Sequence, residues 1–427
     1  MKKITVRLQI IALLFISGVL TSCEAPENCD AASTSTCTDS SGSSPSESDS
    51  SPSVNNNSSI KTDGYIVEIL SDDDGNYFAI GYSGGLEVSG STIRTGPHGT
   101  TIMGQNDVFV SKYDSTNELK WTKLLGTSSQ DSVSAATLSI DKSSIVLVGS
   151  ANCSWSGEDS CLGIQRGYAA FFKISDGSLT KVHYFGPNNA VIVPPTGISQ
   201  QHNTSVNEIA KDSSSYYVIG QSSADISGSG QSGYGDAFIA KFNASAVLDT
   251  KASGTAKNEN PYKLRWNGGN LVFNVQSNSY SPTNYSLDQA SFSDQLNSLS
   301  YSTGSTVSGS VASSVSQTTT QHRLYLRQAT DTSSNLYEAS INLGATTLTV
   351  TKKDSFGSTV WTKTIDTSTE SPSPIRILVE GISVLPNQDV IVAFRKDYGS
   401  TQSDGRSIYN FIWRMDSSGV QKDLFQW

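Results

Sequence analysis

The densest cluster of oxygen ligands in this 427-residue chain is the run Ser71-Asp72-Asp73-Asp74-Gly75-Asn76-Tyr77-Phe78. Three carboxylates beside backbone carbonyls are hard donors of the kind calcium takes. The same residues also make a hairpin turn, because Asp bonds back to nearby amides and Gly and Asn tolerate positive φ. The turn is the preferred reading, and no metal is assigned. The four histidines, His98, His183, His202 and His322, are scattered, and no cysteine pair has a zinc-type spacing. Serine is so abundant that no Ser/His/Asp set can be chosen without geometry. No G-x-S-x-G elbow, H-E-x-x-H helix or phosphate-cradling glycine loop is present. Catalytic residues and cofactors are therefore assigned as none.

Cys23 has a different kind of chemistry. It follows a basic start (Lys2, Lys3, Arg7) and an apolar run from Leu8 to Leu20, the order of a secretory signal. About twenty apolar residues are needed to cross a bilayer, and this run is shorter. The segment Val19-Leu20-Thr21-Ser22-Cys23 resembles the lipobox of bacterial lipoproteins. That resemblance implies a diacylglycerol thioether on Cys23, cleavage before it, and a palmitate-type acyl chain on the new amine. Stable anchoring takes at least two such chains. Glu24 follows, where Asp would hint at inner-membrane retention, so the outer membrane is the preferred address, with surface exposure an option.

Loss of Lys2, Lys3 and Arg7 with the leader takes 29 cationic residues to 26 against 39 acidic ones, a net charge of −13. Such a surface repels nucleic acid, and no nucleic-acid partner is expected. Cys153 and Cys161 flank a short polar stretch and are a candidate disulfide, which an exported protein permits. Cys29 and Cys37 could close a loop, pair between molecules or stay free. Residues 33–59 hold thirteen serines and no Lys, Arg or aromatic residue, so they should be disordered. As a flexible coil of about 38 residues, the stretch from Cys23 to Lys61 reaches about 31 to 37 Å. The expected layout is a signal peptide over 1–22, a lipidated cysteine and tether over 23–61, and a folded domain over 62–427.

That domain reads as all-β. Apolar segments recur after turns: Tyr77-Phe78-Ala79-Ile80-Gly81, Ile145-Val146-Leu147-Val148-Gly149, Tyr217-Val218-Ile219-Gly220, Leu271-Val272-Phe273-Asn274-Val275 and Val390-Ile391-Val392-Ala393-Phe394, with Leu324-Tyr325-Leu326 a weaker copy. Consecutive apolar positions suit strands covered on both faces. A second type of segment follows, as in Asp107-Val108-Phe109-Val110-Ser111-Lys112-Tyr113-Asp114 and Asp236-Ala237-Phe238-Ile239-Ala240-Lys241-Phe242-Asn243. Asp114 and Asp354 each precede a Trp-Thr-Lys triplet by seven residues, at Trp121 and Trp361. The pattern predicts units beginning near Tyr65, Ser132, Val206, Tyr262, Gly304 and Ile375.

The string from Asp107 to Gly126 resembles the repeat of the bacterial seven-bladed β-propeller repeat family, well in the first and third units and poorly between Asn258 and Gln321. The resemblance implies a β-propeller, with six blades favoured and seven as runner-up. Ser71 to Phe78 also fits loosely the Asp-box of sialidase propellers, a structural motif that here occurs once. Trp121, Trp361 and Trp413 are expected to serve packing. The loop from Ser83 to Asn106, with Arg94 and His98, is the leading binding-loop candidate, since loops on rigid scaffolds often carry recognition. The expected function is a monomeric, membrane-anchored envelope module that binds an unknown protein or glycan. The alternative is an extracellular polysaccharide hydrolase or lyase with its site at the central channel. Convergent carboxylates beside Tyr or His at the channel would favour the enzyme, and a Ser, Asn and Thr lining would favour binding.

Overall fold

The computed structural model describes residues 64–427 apart from 85, 88–93, 153–164, 187–202, 227–234, 254–257, 268–269, 279–284, 294–299, 304–325, 342–346, 369, 371–373 and 400–407. Among the described residues, six four-stranded antiparallel sheets follow one another along the chain, over 64–125, 131–185, 204–253, 258–303, 326–366 and 376–426. Each is a meander whose strands pair in chain order. In the first sheet these are Gly64–Ser71, Tyr77–Ser83, Asp107–Tyr113 and Leu119–Leu125. First strands lie beside the first strands of neighbouring sheets, as in sheets one and six or two and three, so they are innermost.

Burial follows that order. The second and third strands of the first sheet are buried at almost every position, whereas Leu119–Leu125 is largely exposed. The outer strand carries Lys120 and Lys123, the sort of charge that discourages edge pairing. One sheet cannot cover both of its faces, so cores form between sheets. Phe78, Val110, Leu147 and Phe172 join sheets one and two, and Val148, Phe171, Val218 and Phe238 join two and three. Ile219 and Ile239 meet Leu271 and Phe273 between three and four. Tyr337, Val350, Val379 and Trp413 join five and six, and Ile66, Ala79, Ile391 and Ile412 join six to one. Each fully buried Phe or Ile contributes roughly 1.5–3 kcal/mol.

The recurring glycine of the second strand has a steric cause. A Cβ at Gly81, Gly149 or Gly220 would lie 1.8, 2.0 or 2.0 Å from the carbonyl oxygen of Tyr65, Ser132 or Ser205. That carbonyl comes close because the first strand bulges just beyond it, between Ile66 and Glu68, Val133 and Ala135, or Val206 and Glu208. A bulge inserts one extra residue and turns the strand locally.

The Asp-rich turns are backbone caps. Asp72 Oδ1 accepts the amides of Asp74 and Asn76 at 3.1 and 2.8 Å, and Asp331 Oδ1 accepts those of Ser333 and Asn335 at 2.9 and 2.9 Å. The Asp before each Trp-Thr-Lys triplet caps the turn between third and fourth strands, Asp114 for Thr116 and Glu118, Asp354 for Phe356 and Ser358. Both triplets then grip the next sheet. Trp121 covers Gly177, and Trp361 covers Gly419 while donating its indole N–H to Ser417 O at 3.0 Å. These glycines have φ of +69° and +81°, so they are needed for conformation as well as for space. Lys112 and Lys352, opposite the two tryptophans, donate to Ile174 O and Ser417 O at 3.2 and 3.4 Å.

One expectation needs correction. Among the described residues the fifth sheet runs from Leu326 and its second strand is Leu336–Ile341, not Leu324-Tyr325-Leu326; Gly304, Leu324 and Tyr325 lie outside the described residues. In the fourth sheet Asn274 holds the place of Gly81, because it faces Tyr262 at the last pair before the bulge.

Candidate functional site

The first-strand bulges place polar groups where the inner strands converge. Glu68 and Glu208 each sit one residue past a bulge. Glu68 Oε2 lies 4.0 Å from Arg327 Nη1 of the fifth sheet, and Arg327 Nη2 donates to Val67 O at 3.3 Å. Glu208 Oε2 accepts the amide of Leu264 at 2.8 Å. Glu380, within the sixth sheet's bulge, lies 3.0 Å from Arg395 Nε. The Arg395 guanidinium stands 4.9 Å above the Tyr65 ring, which lies 5.2 Å from Tyr82. Burial, then Tyr65 and Glu380, raise the Tyr82 pKa against the opposing pull of Arg395. Its phenol is therefore protonated at neutral pH. The bulges of sheets two and three carry Ser134 and Asn207; Asn207 Nδ2 donates to Asn260 Oδ1 and Pro261 O at 2.9 and 3.0 Å.

The ends of the sheets differ. Connections from first to second strands, such as 72–76, and from third to fourth strands, such as 114–118, lie at one end of the sheets, and those from second to third strands, with the long one at 84–106, lie at the opposite end. On that long-connection face, a charged and aromatic rim surrounds the sixth sheet. Arg376 makes two contacts with Asp397 Oδ2, at 2.8 and 2.7 Å. Lys396 pairs with Glu370 at 2.6 Å and lies 4.6 Å from the Phe411 ring centre. Tyr398 donates to Glu370 at 3.2 Å and meets Tyr409 edge to face. Burial and the Glu370 carboxylate push Tyr398 up to about 12.

Within the candidate loop, three short strands, Leu86–Glu87, Arg94–Thr95 and Thr101–Ile102, form a small sheet. Arg94 is held in backbone register with Glu87 and Ile102. His98 bonds Tyr113 Oη through Nε2 at 2.8 Å and meets Trp427 edge-on at 5.6 Å. Burial of the ring pushes its pKa down to about 4. The neutral imidazole pins the loop to the seam between sheets one and six, although the residue remains exposed overall. Trp427 also stacks on Phe109, 4.6 Å between centres. Cys23, Cys29, Cys37, Cys153 and Cys161 lie outside the described residues.

Asp72 is occupied with its own turn, and Asp73 pairs with Lys142 at 2.5 Å. Among the described residues, no three His, Cys, Asp or Glu side chains are grouped to hold a metal. The pairs Glu68–Arg327 and Glu380–Arg395 were invisible to sequence motifs, because the first is set by how sheets meet and the second by the register of a bulged strand pair.

No family model and no curated protein matches the chain. Solved structures with some likeness include the β-propeller domain of the Trilobed protease from Pyrococcus furiosus, at 9% identity and TM-score 0.38, covering 84% of this chain and 98% of that one. An α-L-arabinofuranosidase of Fusarium graminearum has 9% identity and TM-score 0.38, covering 78% and 88%. A polysaccharide lyase has 10% identity and TM-score 0.35, covering 85% and 81%. At such values the likenesses bear on neither ligand nor activity.

Proposed function

We propose that the chain is an envelope lipoprotein, held to a membrane (the outer one by preference) through acyl chains on Cys23. Its six sheets form a six-bladed β-propeller whose long-connection face binds protein or glycan. One observation carries the binding reading. The inner-strand carboxylates are engaged, Glu68 with Arg327, Glu380 with Arg395 and Glu208 with an amide. Ser134 and Asn207 take the bulge positions of the second and third sheets, where the sixth has Glu380. General acid–base catalysis needs a group poised to exchange a proton with substrate, and a carboxylate held against a guanidinium is poorly placed for that. The six-blade reading is supported by the count of meanders and by the face contact of the first sheet with the sixth. The lipoprotein reading and the repeat resemblance rest on Val19 to Cys23 and on Asp107 to Gly126.

The polysaccharide-cleaving alternative keeps one point in its favour, a carboxylate beside protonated Tyr82. One experiment separates the two. The purified full chain is offered extracts of envelope and host surfaces, and, separately, extracellular polysaccharides. Binding lost in Tyr398→Ala and kept in Glu380→Gln supports the module, whereas polymer cleavage lost in Glu380→Gln overturns it. For the anchor, Cys23→Ser should move the protein from membrane to soluble fractions; a membrane-bound Cys23→Ser variant rules the anchor out.

A further inference from the structure

Sheets one, five and six each grip the following sheet at matching places. The residue paired just before the bulge between third and fourth strands is Lys112 opposite Trp121, Lys352 opposite Trp361, and Arg414 opposite Asp423. Each cation donates to a carbonyl in the next sheet's last turn, Lys112 to Ile174, Lys352 to Ser417 and Arg414 to Ser115. In the second sheet the same pair is Phe171 opposite Lys181. An aromatic ring stands where the cation would be, and a lysine replaces the tryptophan or its equivalent. A cleft of ≈ 540 Å³ opens there, between the second and third sheets, well within the size of small-ligand pockets, about 300–1,000 Å³.

We propose that this cleft is a binding site for a neutral hexopyranose residue, separate from the long-connection face. Its floor combines Phe171 and Tyr216, both 3% exposed, with ring centres 5.6 Å apart and 82° between planes. At that exposure they back the cleft with apolar ring edges, against which the C–H groups of a sugar can rest. The Tyr216 hydroxyl accepts the amide of Ile140 at 2.8 Å, and its own hydrogen has no acceptor among the described residues. Burial raises the Tyr216 pKa, so that hydrogen stays available. Ser245 brings a hydroxyl to the rim, and those of Ser143 and Ser214, which donate to Asp141 and Asp212, can accept from a guest. Asp141 and Lys181 offset one another in charge. The hydroxyls of Ser139 and Ser143 hold Asp141 ionised below the usual carboxylate range. A site of zero net charge, rich in hydroxyls and backed by rings, selects an uncharged polyol over an anion or cation.

The test uses the full chain in detergent and saturation-transfer NMR, with glucose, galactose, mannose and N-acetylglucosamine as probes and glucuronate as the charged control. At least one neutral sugar is expected to bind saturably. Phe171→Lys with Lys181→Trp, which installs the fastening of sheets one and five, should abolish binding while circular dichroism stays unchanged. Tyr216→Phe, which removes one hydroxyl donor, should weaken binding about tenfold, within the reach of a single lost hydrogen bond. Phe356→Ala, which removes an exposed ring from a turn of the fifth sheet, should leave it unaltered. If the double variant does not fold, Tyr216→Phe decides. No saturable neutral sugar, binding of glucuronate alone, or affinity untouched by Tyr216→Phe overturns the proposal.

Discussion

At the scale of single residues, the strand-two glycines and His98 are the most exacting positions. Gly220→Ala would place a methyl 2.0 Å from Ser205 O and against the Phe238 ring. Relief requires backbone movement, so a loss of about 1–3 kcal/mol is expected in urea unfolding. His98 gives a pH signature. Its pKa falls from 6.5 to about 4 on folding because burial disfavours the cation. Across that window the unfolded chain binds more protons, so stability rises with pH. This contribution is complete above about 6.5 and lost as pH falls towards 4. Thermal midpoints from pH 4 to 7 should therefore climb less steeply in His98→Gln; identical slopes would refute the assignment. The ring's partners Tyr113 and Trp427 were hidden in the sequence, where a histidine among glycines in a long insertion gives no sign of what it touches.

At the scale of elements, the fastenings between sheets account for the Trp-Thr-Lys spacing. Trp361→Ala removes a half-buried ring from Gly419 and a bond to Ser417, and a cost of about 1–3 kcal/mol is expected by denaturation. The seam between sixth and first sheets adds a buried ion cluster. Asp389, 2% exposed, receives Arg414 at 2.6 Å and Lys422 at 2.9 Å. Arg414→Met strands that carboxylate with one exposed lysine, a change expected to cost about 3 kcal/mol, near the low end for a broken buried pair. Adding Asp389→Leu should recover part of the loss; no recovery would mean that the arginine acts mainly through Ser115. Five of the six sheet starts could be read from consecutive apolar runs, which in sheets one to three and six form strands buried at nearly every position. The fifth escaped because Leu336–Ile341 and Thr347–Lys353 alternate half-buried and buried positions. A search for unbroken apolar runs then settles on Leu324 to Leu326.

At the scale of the whole molecule, the first and last sheets are joined without a shared strand. Each completes its own four-stranded meander. They are held together by the Ile66, Ala79, Ile391 and Ile412 core and by polar links such as Ser71 Oγ to Ser383 Oγ at 2.7 Å. Asn410 reinforces the join by donating from Nδ2 to Gly64 O. Asn410→Ala should weaken this join selectively, and hydrogen exchange is expected to quicken at the amides of the first sheet's first strand before those of the second and third sheets. The architecture was legible as a count of repeats, whereas the pairings across the centre were not, since Glu68 and Arg327 lie 259 positions apart in the chain. The joint between sheets two and three is riveted differently from those that follow sheets one, five and six: His183 bonds Asn243 O where they use a lysine or arginine. A neutral imidazole has one hydrogen to give where an ammonium has three, so pulling should strain this joint early, and a guest lodged beside Tyr216 would act as a brace.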